Sequence, residues 1–446
     1  MRNPERHLDE AGLNEDLQER TFAPSAGPPH VGLEVEILAF RGIQAVPVEE
    51  LLDAISPLMA QGVLTDTTTP GMPRTFEHGP SRLTFEPGGQ LELVTPPRPS
   101  TVAALNDIAG LEALLDPALC ARRIRRANHG VNPWQDEREI DLQTPEPRYV
   151  AMQEYFRAVG PDGHRMMRLT CALQINLDCG TKADMWRRWR LANLMSPVLI
   201  GMFANSPMAG GRLTGWKSSR AAIWFGVDPS RTAFHLGVDE RADNPGEYLA
   251  FALDAGVLLR RTPGGYVPGI PSFTFRDWMK SGDDLGFPTL DDWHYHLTTL
   301  FPPVRPRGFL ELRAMDNPPV RWRTVPVAVA TALLLDPQAR EASIERLAEH
   351  GAALSHLAIA SSRHGLAHPV VQSLARQLMD LARDAFDRLP HGWLSPSIVA
   401  DVEAFRAQYT DRGRCPADEL LDLQSSGRDA AGLARAAASR EEELDL

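Results

Sequence analysis

Four short stretches of the chain carry carboxylates, amides and arginines two residues apart. In residues 31–40, Leu33, Val35 and Ile37 alternate with Glu34 and Glu36. In residues 82–96, Leu91 and Leu93 oppose Gln90 and Glu92, and Glu86 stands just before a Pro87-Gly88-Gly89 kink that re-aims it toward the same side. In residues 169–178, Leu169, Cys171, Leu173, Ile175 and Leu177 oppose Thr170, Gln174, Asn176 and Asp178. In residues 308–316, Glu311 and Arg313 share a side. A period of two is the strand period, so each stretch predicts a strand with one apolar face and one face of functional groups. A plain antiparallel sheet with one wet face explains any single stretch. It explains the set less well. Wet faces mix Lys, Thr, Ser and Arg, whereas these hold mainly Glu with amides and one Arg. Carboxylates at that density repel one another unless a cation lies among them. Hard divalent cations take oxygen ligands, and Mg2+ is shared between carboxylates and substrate phosphates. The pattern therefore points to a phosphoryl-transfer site built on rigid strands.

A second stretch, residues 205–232, supplies the opposite charge. Gly210, Gly211 and Gly215 permit close backbone approach to a ligand. Lys217, Arg220 and Arg231 are candidates to neutralise phosphate, Arg by bidentate contacts. For either arginine a structural role is as good a reading as a functional one, because arginine supplies nearly all the positive charge of this chain. Trp216 and Trp224 either pack on a base or fill the core. Other chemistries lack their signatures: there is no GxxxxGK[ST], HExxH or GxSxG, and no GxGxxG between a strand and a helix. The 13 histidines show no ligand spacing.

The surrounding elements follow from periodicity and punctuation. Helices are expected over residues 101–115, with Ser100 as N-cap, and over 184–203. The 205–235 region reads as a loop followed by a strand. From residue 324 to 389 the chain is Ala/Leu-rich and helical, with breaks at Pro369, Pro390 and Pro396. Residues 1–29 read as a mobile leader, 30–425 as a single α+β domain and 426–446 as a flexible or helical tail. A net charge of -12 argues against a nucleic-acid partner. No run reaches the roughly 18 apolar residues of a membrane span. The leader has no apolar h-region, and the four cysteines show no CxxC spacing. A cytoplasmic protein with reduced thiols is expected.

Taken together, VGLEVEILAF (31–40), LTFEPGGQLELVTPP (83–97), MQEYFRAVGPDGHRMMRLTCALQINLD (152–178), the 204–232 loop and PPVRPRGFLELRAMDNPP (302–319) resemble type 2 glutamate–cysteine ligases. The resemblance is greatest to the actinobacterial branch that supplies γ-glutamylcysteine for ergothioneine. It implies a fold similar to the catalytic domain of glutamine synthetase, with a curved antiparallel sheet forming a funnel and helices outside. It implies ATP as co-substrate, two or three Mg2+ ions, and small-molecule substrates, L-glutamate and L-cysteine. On the matching motifs, Glu34, Glu36, Glu86, Glu92 and Glu311 are expected around the metal. Arg313 is expected to hold glutamate or the transferring phosphoryl group, with Glu311 beside it in catalysis. Lys217, Arg220 and Arg231 are expected at phosphate, and Gln90, Gln174 and Asn176 at substrate. A ligase of the same fold using another amine remains the alternative.

Overall fold

The computed structural model describes residues 8–232, 234, 236–238 and 244–425. Its centre is an antiparallel sheet. The main strands are β1 (Val31–Arg41), β2 (Thr65–Asp66), β3 (Thr75–His78), β4 (Ser81–Phe85), β5 (Leu91–Val94), β6 (Ala172–Asp178), β7 (Val304–Pro306) and β8 (Phe309–Asp316). They lie in the order β7-β8-β6-β1-β5-β4-β3-β2, and Gln44–Ala45 and Arg125–Ala127 pair with the C-terminal end of β1. Every pairing along this order is antiparallel.

The alternation read from the sequence separates the two faces of the sheet. Leu33, Val35 and Ile37 of β1, Leu91 and Leu93 of β5, Leu173, Ile175 and Leu177 of β6, and Leu310 and Leu312 of β8 are all buried in one apolar cluster. Against them pack α1 (Thr101–Ala121), capped by Ser100, and α4 (Lys182–Met202), capped by Thr181. Between these in the chain lie α2 (Pro147–Val159) and α3 (Asp162–Leu169), and after them α5 (Ser219–Val227). These last three stand by the polar face instead. Burial of each Leu or Ile stabilises the fold by about 1.5–3 kcal/mol, so the apolar face fixes the register that the polar face uses. In the C-terminal helical part, Pro369 and Pro396 each open a helix at its first position, where proline loses no needed hydrogen bond.

Four expectations need correction. The leader is folded from Asp9 on: Asp9 caps the helix Glu10–Asp16, and Leu13, Leu17 and Phe22 are buried in the main core. The Phe22 ring lies 4.9–5.4 Å from Trp186, Trp189 and Tyr248. The i, i+4 spacing of Leu13 and Leu17 among charged residues is the helical signal that the overall polarity hid. The Pro87-Gly88-Gly89 kink is a full reversal between β4 and β5, closed by Gly89 N–H donating to Glu86 O at 2.8 Å. Residues 169–171 are not strand: α3 ends at Leu169, and β6 begins at Ala172. The strand expected within the 205–235 region, after its loop, is not found among the described residues, which hold α5 instead, started by Ser218, which caps the Ala221 amide. The expected tail, residues 426–446, lies outside the described residues.

Candidate active site

The antiparallel register turns residues far apart in sequence into cross-strand neighbours. Thr84 lies opposite Glu92, and Glu92 opposite Glu36. On the other side of β1, Glu34 lies opposite Gln174, and Asn176 opposite Glu311. The reversal at Pro87–Gly89 carries Glu86 to the same place. Gly88 is needed there, because a Cβ would meet the Arg168 carbonyl oxygen at 2.2 Å. Carboxylate oxygens of Glu36, Glu86 and Glu92 come within 4.8 Å of one another. Amides hold the carboxylates from the side. Gln174 donates to Glu36 Oε1 at 2.9 Å, Ala172 N to Glu36 Oε2 at 2.8 Å, and Asn176 to Glu34 Oε1 at 2.8 Å. The Thr84 hydroxyl donates to Glu92.

The electrostatics divide these carboxylates into two kinds. Burial, then the neighbouring Glu36, pushes Glu86 up to about 8. Burial and the charges of Glu86, Glu34 and Glu36 raise Glu92 well above the usual carboxylate range. Burial also raises Glu36, against the pull of Arg220 and Arg313, and burial with the nearby charge of Glu311 raises Glu34. Glu311 is the opposite. Burial disfavours its charge, but Arg305 and Arg313 overcome that and hold it at about 2. Arg305 grips it with two hydrogen bonds of 2.5 and 3.0 Å, and Arg313 donates to it at 3.0 Å and to Gln174 at 2.6 Å. The trio Glu36, Glu86 and Glu92 fits a hard cation: its donors are all oxygen and close together, and among the described residues none of the three is ion-paired, the pull of Arg220 and Arg313 being too weak to offset burial. Glu34 stands beside the trio. Glu311 does not join it, because both its oxygens are already taken by arginine.

Two cavities meet at these residues. One, of about 300 Å3, is walled by Glu34, Glu36, Glu86 and Glu92, by Arg148, Arg220, Arg305, Arg307 and Arg313, and by Tyr149, Trp224 and Phe301. The other, of about 460 Å3, is walled by His30, Arg82, Val94, Pro97, Asn176 and Phe309. Glu34, Glu92 and Arg307 line both.

The residues expected from the sequence divide accordingly. Glu34, Glu36, Glu86, Glu92, Gln90, Gln174, Arg220 and Arg313 line the first cavity and Asn176 the second. Arg220 donates to the Arg313 carbonyl at 3.0 Å and keeps a buried Nε that has no partner among the described residues. The Arg220 and Arg313 guanidiniums lie 5.8 and 5.7 Å from the Trp224 ring, so Trp224 backs the arginines. Two phosphate candidates are set apart. Arg231 is fully buried and spends its guanidinium on Asp228, Thr299, Tyr155 and Gly256, which leaves nothing for a phosphate. Lys217 is ion-paired with Asp418 at 2.6 Å and lines neither cavity. Trp216 lies under Arg363, also away from both.

Sequence reasoning missed Arg305, Arg307, Arg148 and Tyr149. The first two had a signal: in VRPRG they continue the period of two up to Gly308, whose φ of +76° makes the turn from β7 into β8. Arg148 and Tyr149 open α2 and carry no local mark.

Comparison with known proteins agrees with this geometry. The model of glutamate–cysteine ligase family 2 matches residues 30–439. The glutamate–cysteine ligase EgtA of Mycolicibacterium smegmatis is 35% identical over 77% of this chain and 78% of its own. EgtA of Mycobacterium tuberculosis is 33% identical over 89% and 86%. The chloroplastic glutamate–cysteine ligase of Medicago truncatula is 28% identical over 89% and 78%. Among solved structures, a glutamate–cysteine ligase from Francisella tularensis in complex with AMP superimposes with a TM-score of 0.53 at 13% identity. That match covers 94% of this chain and 89% of the other, which places the two in one fold.

Proposed function

Because the chain belongs to glutamate–cysteine ligase family 2, we propose that it joins the γ-carboxylate of L-glutamate to the amine of L-cysteine at the expense of ATP. The observation that carries this reading is the unpaired trio Glu36, Glu86 and Glu92 at the meeting of two cavities. A carboxylate is a poor electrophile, and it approaches ATP as one anion approaching another. Bound Mg2+ removes that repulsion and stabilises charge developing on the transferring phosphoryl group. Glu36, Glu86 and Glu92 would hold it, with Glu34 and Glu311 at its margin, and two or three ions is our reading of the full complement.

The two cavities divide the substrates. The one with apolar walls at Val94, Pro97 and Phe309 suits the base and ribose of ATP. The arginine-rich one suits the two amino acids, with Arg313 and Arg220 on glutamate or on the phosphoryl group. Arg307 faces both. A γ-carboxylate oxygen forms a bond to the γ-phosphorus and ADP leaves. The cysteine nitrogen then attacks the acyl carbon of γ-glutamyl phosphate, and inorganic phosphate leaves. Holding the partners in place can itself lower the barrier by about 7–11 kcal/mol. Gln90, Gln174 and Asn176 orient the site; Gln90 already donates to the Thr170 carbonyl at 3.0 Å, and its buried Oε1 has no protein partner. On the resemblance of its motifs to the actinobacterial branch that serves ergothioneine, we assign the product to ergothioneine synthesis and the enzyme to the cytoplasm. None of the described helices is long and apolar enough to cross a membrane.

The test is ADP release by the purified protein with ATP, Mg2+ and L-glutamate across a panel of amines. Strong stimulation by L-cysteine, with γ-glutamylcysteine detected by mass spectrometry, is expected. Stimulation by another amine alone would overturn the acceptor and keep the phosphoryl-transfer half.

A further inference from the structure

One buried carboxylate near the site touches neither cavity. Asp316 ends β8, the strand that carries Glu311 and Arg313, and is 1% exposed. Its oxygens accept three hydrogen bonds, all from the 205–218 loop. The Asn205 backbone amide donates to Oδ2 at 2.8 Å, the Ser206 hydroxyl to Oδ2 at 2.6 Å and the Ser218 hydroxyl to Oδ1 at 2.8 Å.

Both serines face two ways. A helix leaves its first amides without partners inside the helix. In α5 these include Arg220 N, which donates to the Ser206 hydroxyl at 3.2 Å, and Ala221 N, which donates to the Ser218 hydroxyl at 3.1 Å. A hydroxyl that accepts from an amide has one proton left to donate. Both send it to Asp316. Asp316 thus adds, through two hydroxyls, to the backbone contacts that hold the first turn of α5, Ser219 N–H to the Ser206 carbonyl at 3.0 Å and Ser218 N–H to the Ser362 carbonyl at 2.9 Å, and that turn carries Arg220 onto the cavity wall. The next residue extends the grip. The Asn317 side chain donates to the Glu36 carbonyl at 2.7 Å, and the Asn317 carbonyl accepts from Asn205 at 2.9 Å. Space around Asp316 is tight: a Cβ on Gly130 would lie 2.3 Å from its Cγ.

We infer that Asp316 is a positioning residue for the ligase reaction, acting through Ser206 and Ser218 to hold the Arg220 guanidinium at the substrate. The inference rests on the reading of Arg220 as a substrate or phosphate contact. Asp316→Asn keeps the shape but removes the charge and one acceptor oxygen, so the two serine protons can no longer both be received as they are now. Arg220 then loses its fixed place while the apolar face of the sheet is untouched.

A double-mutant cycle decides the matter. Steady-state ADP release with ATP, Mg2+, glutamate and cysteine is measured for wild type, Asp316→Asn, Arg220→Ala and the double variant. Asp316→Asn is expected to lower kcat/KM for glutamate roughly 10- to 100-fold in the wild-type background, the loss that supporting partners of a site produce. In the Arg220→Ala background the same change is expected to cost less than about twofold, since the group it positions is already gone. Equal losses in both backgrounds, with Arg220→Ala itself impaired, would overturn this inference alone. Wild-type kinetics in Arg220→Ala would overturn the assignment of Arg220 to the substrate and this inference with it. Should Asp316→Asn fail to fold, Ser218→Ala removes only one of the donors. It is expected to show a smaller loss with the same dependence on Arg220, and a loss independent of Arg220 would again overturn the inference.

Discussion

Two groups of carboxylates sit on the polar face of one sheet and are treated in opposite ways. Glu311 lies between Arg305 and Arg313, and its charge is satisfied by the protein itself. Glu36, Glu86 and Glu92 face one another without an arginine in their midst, and burial pushes their ionisation upward. The first arrangement is complete as folded, and removing its acid strands two buried cations. The second is incomplete: Arg220 and Arg313 pull on Glu36, and Arg313 and Arg148 on Glu86, but burial and repulsion outweigh them, and protons or a metal ion relieve the rest. Similar residue types thus perform two tasks, structural closure and cation capture, and the neighbouring arginines decide which.

The largest expected effect separates these tasks. Glu92→Gln removes one charge from the trio, and the Thr84 hydroxyl can turn to suit the amide. ADP release should fall about 100-fold or more, as expected for a lost metal contact, with no loss of melting temperature in metal-free buffer. Glu311→Gln should lose activity and also destabilise the fold by about 3–5 kcal/mol, the cost of breaking a buried pair. Rates and thermal melts of the two variants check this. A Glu92→Gln protein that melts as early as Glu311→Gln would erase the distinction.

The two arginines of the 205–232 loop repeat the contrast at smaller scale. Arg220 lines the cavity with an Nε unpartnered among the described residues, whereas Arg231 is enclosed by Asp228, Tyr155 and two carbonyls. Lysine replaces charge but not the planar fork. Arg231→Lys should destabilise by about 2–3 kcal/mol, one to two charged hydrogen bonds, and leave the KM for ATP and glutamate unchanged. Arg220→Lys should cost roughly tenfold in kcat/KM without moving the melt. The reverse assignment of effects would return Arg231 to the phosphate site.

This pair also marks where the sequence ran out. The sheet was legible because a period of two with Leu, Val and Ile on one side leaves a single way to bury that side. Glu34, Glu36, Glu92 and Gln174 followed from it, since register alone makes them neighbours. Arg220 and Arg231 stand in similar company in the sequence, and only the packing of Asp228, Tyr155 and Thr299 around one of them decides their roles. Arg305 and Arg307 were legible in principle, as they extend the alternation across Gly308. The folded leader escaped notice because three apolar residues among many charges carry little weight until Trp186, Trp189 and Tyr248 are seen to receive them.

The smallest effect is the dependence of metal binding on pH, and its sign follows from the trio. An acid whose folded value is raised keeps a proton that the unfolded chain has released. It therefore stabilises the metal-free fold fully below its ordinary value near 4.5, and that contribution is lost as pH rises through the folded value, about 8 for Glu86. Mg2+ displaces the same protons, so at higher pH it meets less competition and relieves more repulsion. The rise in melting temperature on adding saturating Mg2+ should be larger at pH 8.5 than at pH 6, and Glu92→Gln should flatten the difference. Glu311 offers the internal control. Its value is held down at about 2, so its contribution is present above the ordinary value and lost only as pH falls toward 2. Nothing about Glu311 changes between pH 6 and 8.5. An equal Mg2+ shift at both pH values would therefore count against the trio as the metal site, and could not be attributed to compensation by the arginine-bound carboxylate.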